Sequence, residues 1–440
     1  MKIKISFALL LVLALCSASY AQALDKAKLD QFFDRLAEKN KAMGSLTIAR
    51  DGQVLYARAI GYSQINGAVK KPSTATTRYR VGSITKMFTA AMLFQLVEEG
   101  KLKLTDTLDK FFPQIPNAKK ITIAHILAHR SGIHSFTSDT DYPSWEMKPK
   151  TKDELLAIIA KGTPDFEPGE KMGYSNAGYI VLGYIVEKLA GKPYQDALKE
   201  RITSKIGLKD TYFGTGNTEL NRNESFSYKY AGDWKQESET HLSIPAGAGA
   251  LISTPADLTK FIQALFDLKL VSQESLNQMM QNKMGMFTFP LNGKTFYGHG
   301  GGIDGFNALL VYLPEEKLAV AYTSNGMVYP ANSILRGVFD IYWNKPFQIP
   351  TFESIAVSPE VLDKYVGVYS SPGFPLKITV TRNGATLQAQ ATGQSSFPLD
   401  ATAQDKFKFE PAGIVMEFDA AKNQMTLKQR GQETVFTKEN

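Results

Sequence analysis

Between Asp25 and Lys41 apolar residues return every three or four positions, placing Leu29, Phe32, Phe33 and Leu36 on one face, and this spacing predicts a helix. Two runs of strand character follow, Gly44 to Arg50 and Gln53 to Ile60, joined by Asp51-Gly52, a pair suited to a tight hairpin turn. From Val81 to Val97 the chain is almost wholly apolar and ends at Gly100, which predicts a buried helix with a glycine stop. A further helix spans Tyr179 to Ala190 before Gly191, and another covers Ala256 to Leu268 after Ser253-Thr-Pro, a hydroxyl cap followed by proline in the first turn. Late strands run from Phe306 to Tyr312 and from Leu318 to Thr323 around a Pro314-Glu-Glu-Lys317 turn. Helices enclosed between an early and a late hairpin imply an α+β domain with one antiparallel sheet built from both ends of the segment.

Near residue 345 the pattern changes. Lys345-Pro-Phe-Gln-Ile-Pro350 has no periodicity and reads as a linker. Beyond it come short alternating runs: Tyr365 to Tyr369, Leu376 to Val380, Ala385 to Ala389, Phe407 to Phe409, Ile414 to Phe418, Met425 to Leu427 and Val435 to Thr437. With Asn383-Gly384 as a tight turn, these predict a small antiparallel β-barrel. The amino terminus pairs two lysines with the apolar run Phe7 to Leu15 and ends in Ala21-Gln-Ala23, the pattern of an export signal cut after Ala23. The expected organisation is therefore a signal over 1–23, a first domain over 24–345, a linker over 346–358 and a barrel over 359–440.

Composition narrows the chemistry. The 440-residue chain has one cysteine, Cys16, inside the signal, so thiol catalysis, disulfides and thiolate metal sites are excluded from the mature chain. Leu15 stands before Cys16 where a lipid-anchoring signal carries a small residue, which argues against lipidation. Net charge is +7, and +5 once Lys2 and Lys4 leave with the signal; the basic residues are spread out, without the clusters nucleic-acid binding uses. No second apolar run is long enough for a transmembrane span, so the mature chain is expected outside the cytoplasm, periplasmic or extracellular.

Lys86 is the only charged residue between Val81 and Val97, three positions after Ser83. Positions i and i+3 share a helical face, and a desolvated lysine amine can take the proton of a neighbouring serine. The same pair also fits a capping serine beside a snorkelling lysine. Tyr174-Ser-Asn176 is expected on a loop, where a phenol can move a proton and an amide can hold a peptide-like group; alone it also fits a plain turn. Tyr297-Gly-His299-Gly-Gly-Gly302 opens the late hairpin, leaving backbone N–H groups open to close approach, with His299 able to supply a hydrogen bond or a positive charge; a glycine-rich hairpin entry explains it equally. His125 and His129 lie four apart on an expected helix, yet no third ligand falls at a spacing that would complete a metal site. His134 and His241 are expected as surface or satisfied loop residues.

In their order along the chain, Ser83-x-x-Lys86, Tyr174-x-Asn176 and His299-Gly-Gly301 resemble the motifs of the serine β-lactamase and penicillin-binding superfamily. The resemblance is to the branch of class C β-lactamases, D-alanyl-D-alanine carboxypeptidases, D-aminopeptidases and related esterases. Tyr79-Arg-Val-Gly-Ser83, Ile121 to Gly132, Gly247 to Thr254 and Gly300 to Phe306 are similar to further signatures of that branch. It implies a β-lactamase-like fold, an antiparallel sheet flanked by helices plus an all-helical region, over residues 25–345. It also implies Ser83 as the acylated nucleophile, Lys86 sharing its proton, and Tyr174, as a phenolate favoured by Lys86, as base and then acid. Asn176 would bind the substrate amide, with Gly301 and His299 lining the site and the N–H groups of Ser83 and Gly302 holding the oxyanion.

No cofactor or metal is implied, and the substrate would be a small peptide, amide or ester. Class C β-lactamases typically carry Lys-Thr-Gly where this chain has His299-Gly-Gly301, which puts efficient β-lactam hydrolysis in doubt. The terminal segment, with Leu362-x-x-Tyr365-x-Gly367-x-Tyr369, looks like the lipocalin-like domain appended to this branch. The expected activity is that of an exported D-alanyl-D-alanine carboxypeptidase or D-amino-acid peptidase. A carboxylesterase of the same fold, or a slowly acylated penicillin- or peptide-binding receptor, are the alternatives.

Overall fold

A computed structural model describes residues 24–439 apart from 215, 395, 410, 411, 430 and 431. The expected signal and Cys16 lie outside the described residues. The elements that frame the site are α1 (Lys26–Glu38), β1 (Ala42–Arg50), β2 (Gln53–Ile60), α2 (Thr85–Glu98), α3 (Asn176–Ala190), α4 (Pro255–Phe266), β3 (Phe287–Leu291), β4 (Lys294–Ile303), β5 (Phe306–Leu313), β6 (Leu318–Met327) and α5 (Ala331–Tyr342). The strands form one antiparallel sheet in the order β3-β4-β5-β6-β1-β2. The early hairpin therefore joins the late one through β1 and β6, with Leu46 opposite Tyr322 and Ile48 opposite Val320.

Alternation along each strand sorts side chains to two layers. Leu309, Val311, Val320 and Tyr322 meet Phe32 and Phe33 of α1 and Val338 of α5 on one face. Ala308, Leu310, Ala319 and Ala321 turn to the other face, where small side chains let the helical region approach. In that region Phe88 of α2 stacks on Phe261 of α4 with ring centroids 3.6 Å apart. Helix α2 is buried all round, from Thr85 to Leu96, which explains its lack of an amphipathic stripe.

Several elements differ from the sequence expectation: β3 and α5 were not among those expected, and one helix start bears on the site. Helix α3 begins at Asn176 rather than Tyr179, because the Ser175 hydroxyl accepts the Gly178 N–H at 3.2 Å and caps a turn earlier. Asn176 is therefore the first residue of a helix and not part of a loop. Beyond α5 no helix or strand recurs until a short helix at Pro359–Leu362. A closed barrel of eight antiparallel strands follows, from Gly367–Ser371 to Gln432–Lys438. Its fourth strand, Phe397–Ala401, escaped the sequence reading because Pro398 sits within it. Tyr365, Tyr369, Phe407, Phe418, Met425 and Phe436 are buried in its interior. Lys41, at the foot of β1, reaches Asp400 of the barrel at 2.9 Å. Among the described residues no helix is long and apolar enough to cross a membrane.

Candidate active site

Ser83 lies on a single 3₁₀ turn, Gly82–Ile84, just ahead of α2 rather than inside its first turn. The approach of β4 to this turn explains the offset. Gly82 adopts φ +50°, and a Cβ there would lie 2.9 Å from both N and O of Gly302. Gly301 is tighter still: a Cβ would fall 2.0 Å from the Val81 carbonyl oxygen and 3.1 Å from the Ser83 nitrogen. The run of glycines thus serves backbone-to-backbone contact between β4 and the serine turn. Arg80, 3% exposed, reinforces that contact by pairing with Glu239 at 2.9 Å and with Asp304 of the β4–β5 turn at 3.3 Å.

Lys86 is fully buried. Its Nζ lies 2.9 Å from Ser83 Oγ, 2.8 Å from Asn176 Oδ1 and 2.9 Å from the Ala248 carbonyl. Burial lowers its pKa well below the ordinary lysine value, and no carboxylate is among the causes acting on it. A neutral amine has two N–H donors and one lone pair. Once deprotonated, Lys86 could spend both donors on Asn176 and Ala248 and turn its lone pair to the Ser83 hydroxyl, which is the arrangement of a general base.

Tyr174 enters from the other side. Its ring is 41% exposed, yet its hydroxyl sits deep enough that burial pushes its pKa up to about 12, drawn back only partly by the Ser83 hydroxyl within hydrogen-bonding reach. Lys86 Nζ lies 4.9 Å from the ring centroid, over the aromatic face. Burial thus works against the expected phenolate, and Lys86 is not among the causes acting on the phenol. Asn176 Oδ1 faces Lys86 and its amide nitrogen donates to Thr137 Oγ1 at 3.0 Å.

His299 is 4% exposed, and its Nδ1–H donates to the Gly300 carbonyl. Burial and Lys86 lower its pKa to about 3, so the positive charge expected as one of its options is corrected to a neutral ring. Ser83, Asn176 and Gly302 line a cleft of about 810 Å³ together with Phe136, Thr137, Glu146 and Asp304. His299 and Gly301 are not among the residues that line it, and neither are Lys86 and Tyr174.

His129 belongs to the site although its sequence context carries no chemistry. The helix holding His125 ends at Leu127, so the two histidines do not share a helical face as expected. Instead His129, at φ +56°, stacks on Tyr174 with centroids 4.2 Å apart and accepts the Ser175 N–H on Nδ1 at 3.2 Å. Burial lowers its pKa to about 3, leaving a neutral plate behind the phenol. The positive φ beside Gly132 was the only local sign of this turn.

The beta-lactamase family model matches residues 29–339, and the chain belongs to that family. Penicillin-binding protein 4* of Bacillus subtilis (strain 168) is 26% identical over 433 residues, covering 90% of this chain and 95% of its own. A teichoic acid D-alanine hydrolase of Staphylococcus aureus is 26% identical over 265 residues, covering 58% of this chain and 62% of its own. D-amino acid amidase from Ochrobactrum anthropi SV3, complexed with L-phenylalanine, superimposes with a TM-score of 0.67 at 26% identity, over 72% of this chain and 99% of its own. The protein is a serine hydrolase of this fold.

Proposed function

We propose that the protein is an exported hydrolase of D-amino-acid amides, short D-peptides or D-aminoacyl esters, working through an acyl-serine intermediate. The observation that carries this reading is the convergence of Ser83, Lys86, Tyr174 and Asn176, with a buried amine of lowered pKa 2.9 Å from the serine oxygen. Lys86 takes the Ser83 proton as Oγ attacks the acyl carbon, and Tyr174 passes a proton to the departing amine or alcohol. Ser83 and Gly302 supply backbone N–H groups toward the oxyanion, each donor worth about 3 kcal/mol of the barrier. Water then attacks the acyl-enzyme with the proton flow reversed.

Charge bears on substrate class. A neutral, buried His299 offers no cation to a substrate carboxylate, and Lys229 and Lys235 line the cleft along with Glu146. Glu146 lines the cleft with its pKa raised by burial and by Asp304, so a substrate ammonium would relieve an unfavourable carboxylate. Two of the similar proteins are named as a D-amino acid amidase and a teichoic acid D-alanine hydrolase, and a D-amino acid amide carries such an ammonium. The test is intact-mass analysis after a fluorophosphonate, beside turnover of D- and L-alanine p-nitroanilide, a D-alanyl ester, a simple acetyl ester and a blocked D-alanyl-D-alanine peptide. Adduct on wild type and none on Ser83→Ala, with the D-alanyl amide or ester turned over fastest, is the expected result. Fast turnover of the acetyl ester alone would move the reading to a carboxylesterase, and labelling without turnover to a receptor.

Tyr174→Phe should slow amide hydrolysis by about 10²–10⁴-fold. A p-nitrophenyl ester, whose leaving group needs little protonation, should lose much less. Equal losses on both substrates would remove the phenol from its role as acid.

A further inference from the structure

The loop that carries Phe136 and Thr137 into the cleft is held by a side chain the reaction itself does not use. His134 has Nδ1 2.7 Å from an Asp165 oxygen and Nε2 2.7 Å from an Asp139 oxygen. Both contacts are hydrogen bonds only when both nitrogens carry protons. A neutral ring would donate to one carboxylate and turn a lone pair on the other. The two carboxylates raise the pKa of His134, with burial opposing them in part, and they are the charges that bear on the ring. Gly162 also packs against this residue, where a Cβ would touch that of His134 at 3.2 Å.

The bridge pins the loop at two points. Asp139 ends the 3₁₀ turn Phe136–Ser138, while the Asp165 N–H also donates to the Gly132 carbonyl at 2.9 Å. Between them, Ser135 Oγ accepts the backbone N–H of Asn176 at 3.1 Å and Thr137 Oγ1 accepts its side-chain N–H at 3.0 Å. The two hydroxyls lie 3.1 Å from each other. Since Lys86 holds the opposite end of that amide, this loop decides how Asn176 faces a substrate.

We propose that His134 is a positioning residue: its imidazolium, bridging Asp139 and Asp165, holds Ser135 and Thr137 where they orient Asn176, and its deprotonation loosens substrate binding. The inference rests on the acyl-serine reading above. The bridge is complete below the raised pKa of His134 and is lost as pH rises through it. Lys86 works in the opposite sense, being active once deprotonated, so His134 sets the alkaline limb of activity.

The chain has five histidines, so ring titrations followed by NMR on ¹⁵N-histidine-labelled protein can be assigned by substitution. In wild type the alkaline limb of kcat/KM for D-alanine p-nitroanilide should coincide with the His134 titration and appear as a rise in KM. His134→Gln should lack that limb and lose about tenfold to a hundredfold in kcat/KM below it. Asp165→Asn should retain the limb but shift it down by about one pH unit or more. Fluorophosphonate labelling of Ser83, which gives Asn176 no amide to hold, should stay at the wild-type rate in both variants. Independently of turnover, the Asn176 side-chain amide resonances should follow the His134 titration in wild type and not in His134→Gln. A wild-type pH profile in His134→Gln, or Asn176 resonances indifferent to the titration, would overturn the proposal. Failure of the hydrolase reading looks different: no label and no turnover in wild type, with Asn176 still tracking His134.

Discussion

Replacing Lys86 with methionine should lower kcat/KM for every substrate turned over by about 10³–10⁴-fold, the range of a lost general base. Methionine fills the same buried volume, so the loss reports chemistry rather than collapse. Stability at neutral pH reflects two opposed effects. Asn176 Oδ1 and the Ala248 carbonyl lose their donor, at about 1–3 kcal/mol each where they stay buried, while the variant no longer has to strip a proton from an amine on folding. The pH slope separates them. The folded-state pKa of Lys86 is depressed, so between it and the ordinary lysine value of about 10.4 the unfolded chain binds the extra proton, and wild-type stability climbs with pH. Lys86→Met should therefore gain on wild type by about 1.4 kcal/mol per pH unit on going down through that window, read from thermal or urea unfolding. Turnover within tenfold of wild type would mean that another group takes the serine proton.

Gly301→Ala should cost at least about 10²-fold in kcat/KM, together with roughly 1–3 kcal/mol of stability. Its Cβ would meet the Val81 carbonyl, which is backbone and cannot rotate away, so either β4 retreats or the serine turn shifts. Both moves separate Ser83 from Gly302. Gly302→Ala is the control, because open space surrounds its would-be Cβ, and it should fold like wild type and affect only what enters the cleft. A Gly301→Ala protein with normal kinetics would show that the two backbones need not approach so closely.

These two residues also mark how far the sequence could be read. The Ser83–Lys86 pairing was legible because i,i+3 spacing and a lone charge in an apolar run are local facts. Four strands of the central sheet were legible because apolar runs flank recognisable turns, whereas β3 was not read. The shift of Ser83 onto its own turn was not, since it arises from β4 arriving more than two hundred residues later. Protonation of Tyr174 and neutrality of His299 depend on burial by distant segments, which residue type does not record. His129 stayed hidden for the same reason, and His134 because the carboxylates that satisfy it meet only in three dimensions. The fourth barrel strand was lost to a local rule about proline that the sheet overrode.

Pairing of β1 with β6 carries a consequence for how the molecule is made. A ribosome must deliver residue 327 before the strand begun at residue 42 acquires its inner neighbour. A nascent product that ends between the serine turn and that point holds the nucleophile but neither the glycine strand fully backed nor the sheet complete. Hydrolytic competence is therefore expected late in translation, and premature termination before that point should yield inert fragments rather than unregulated ones.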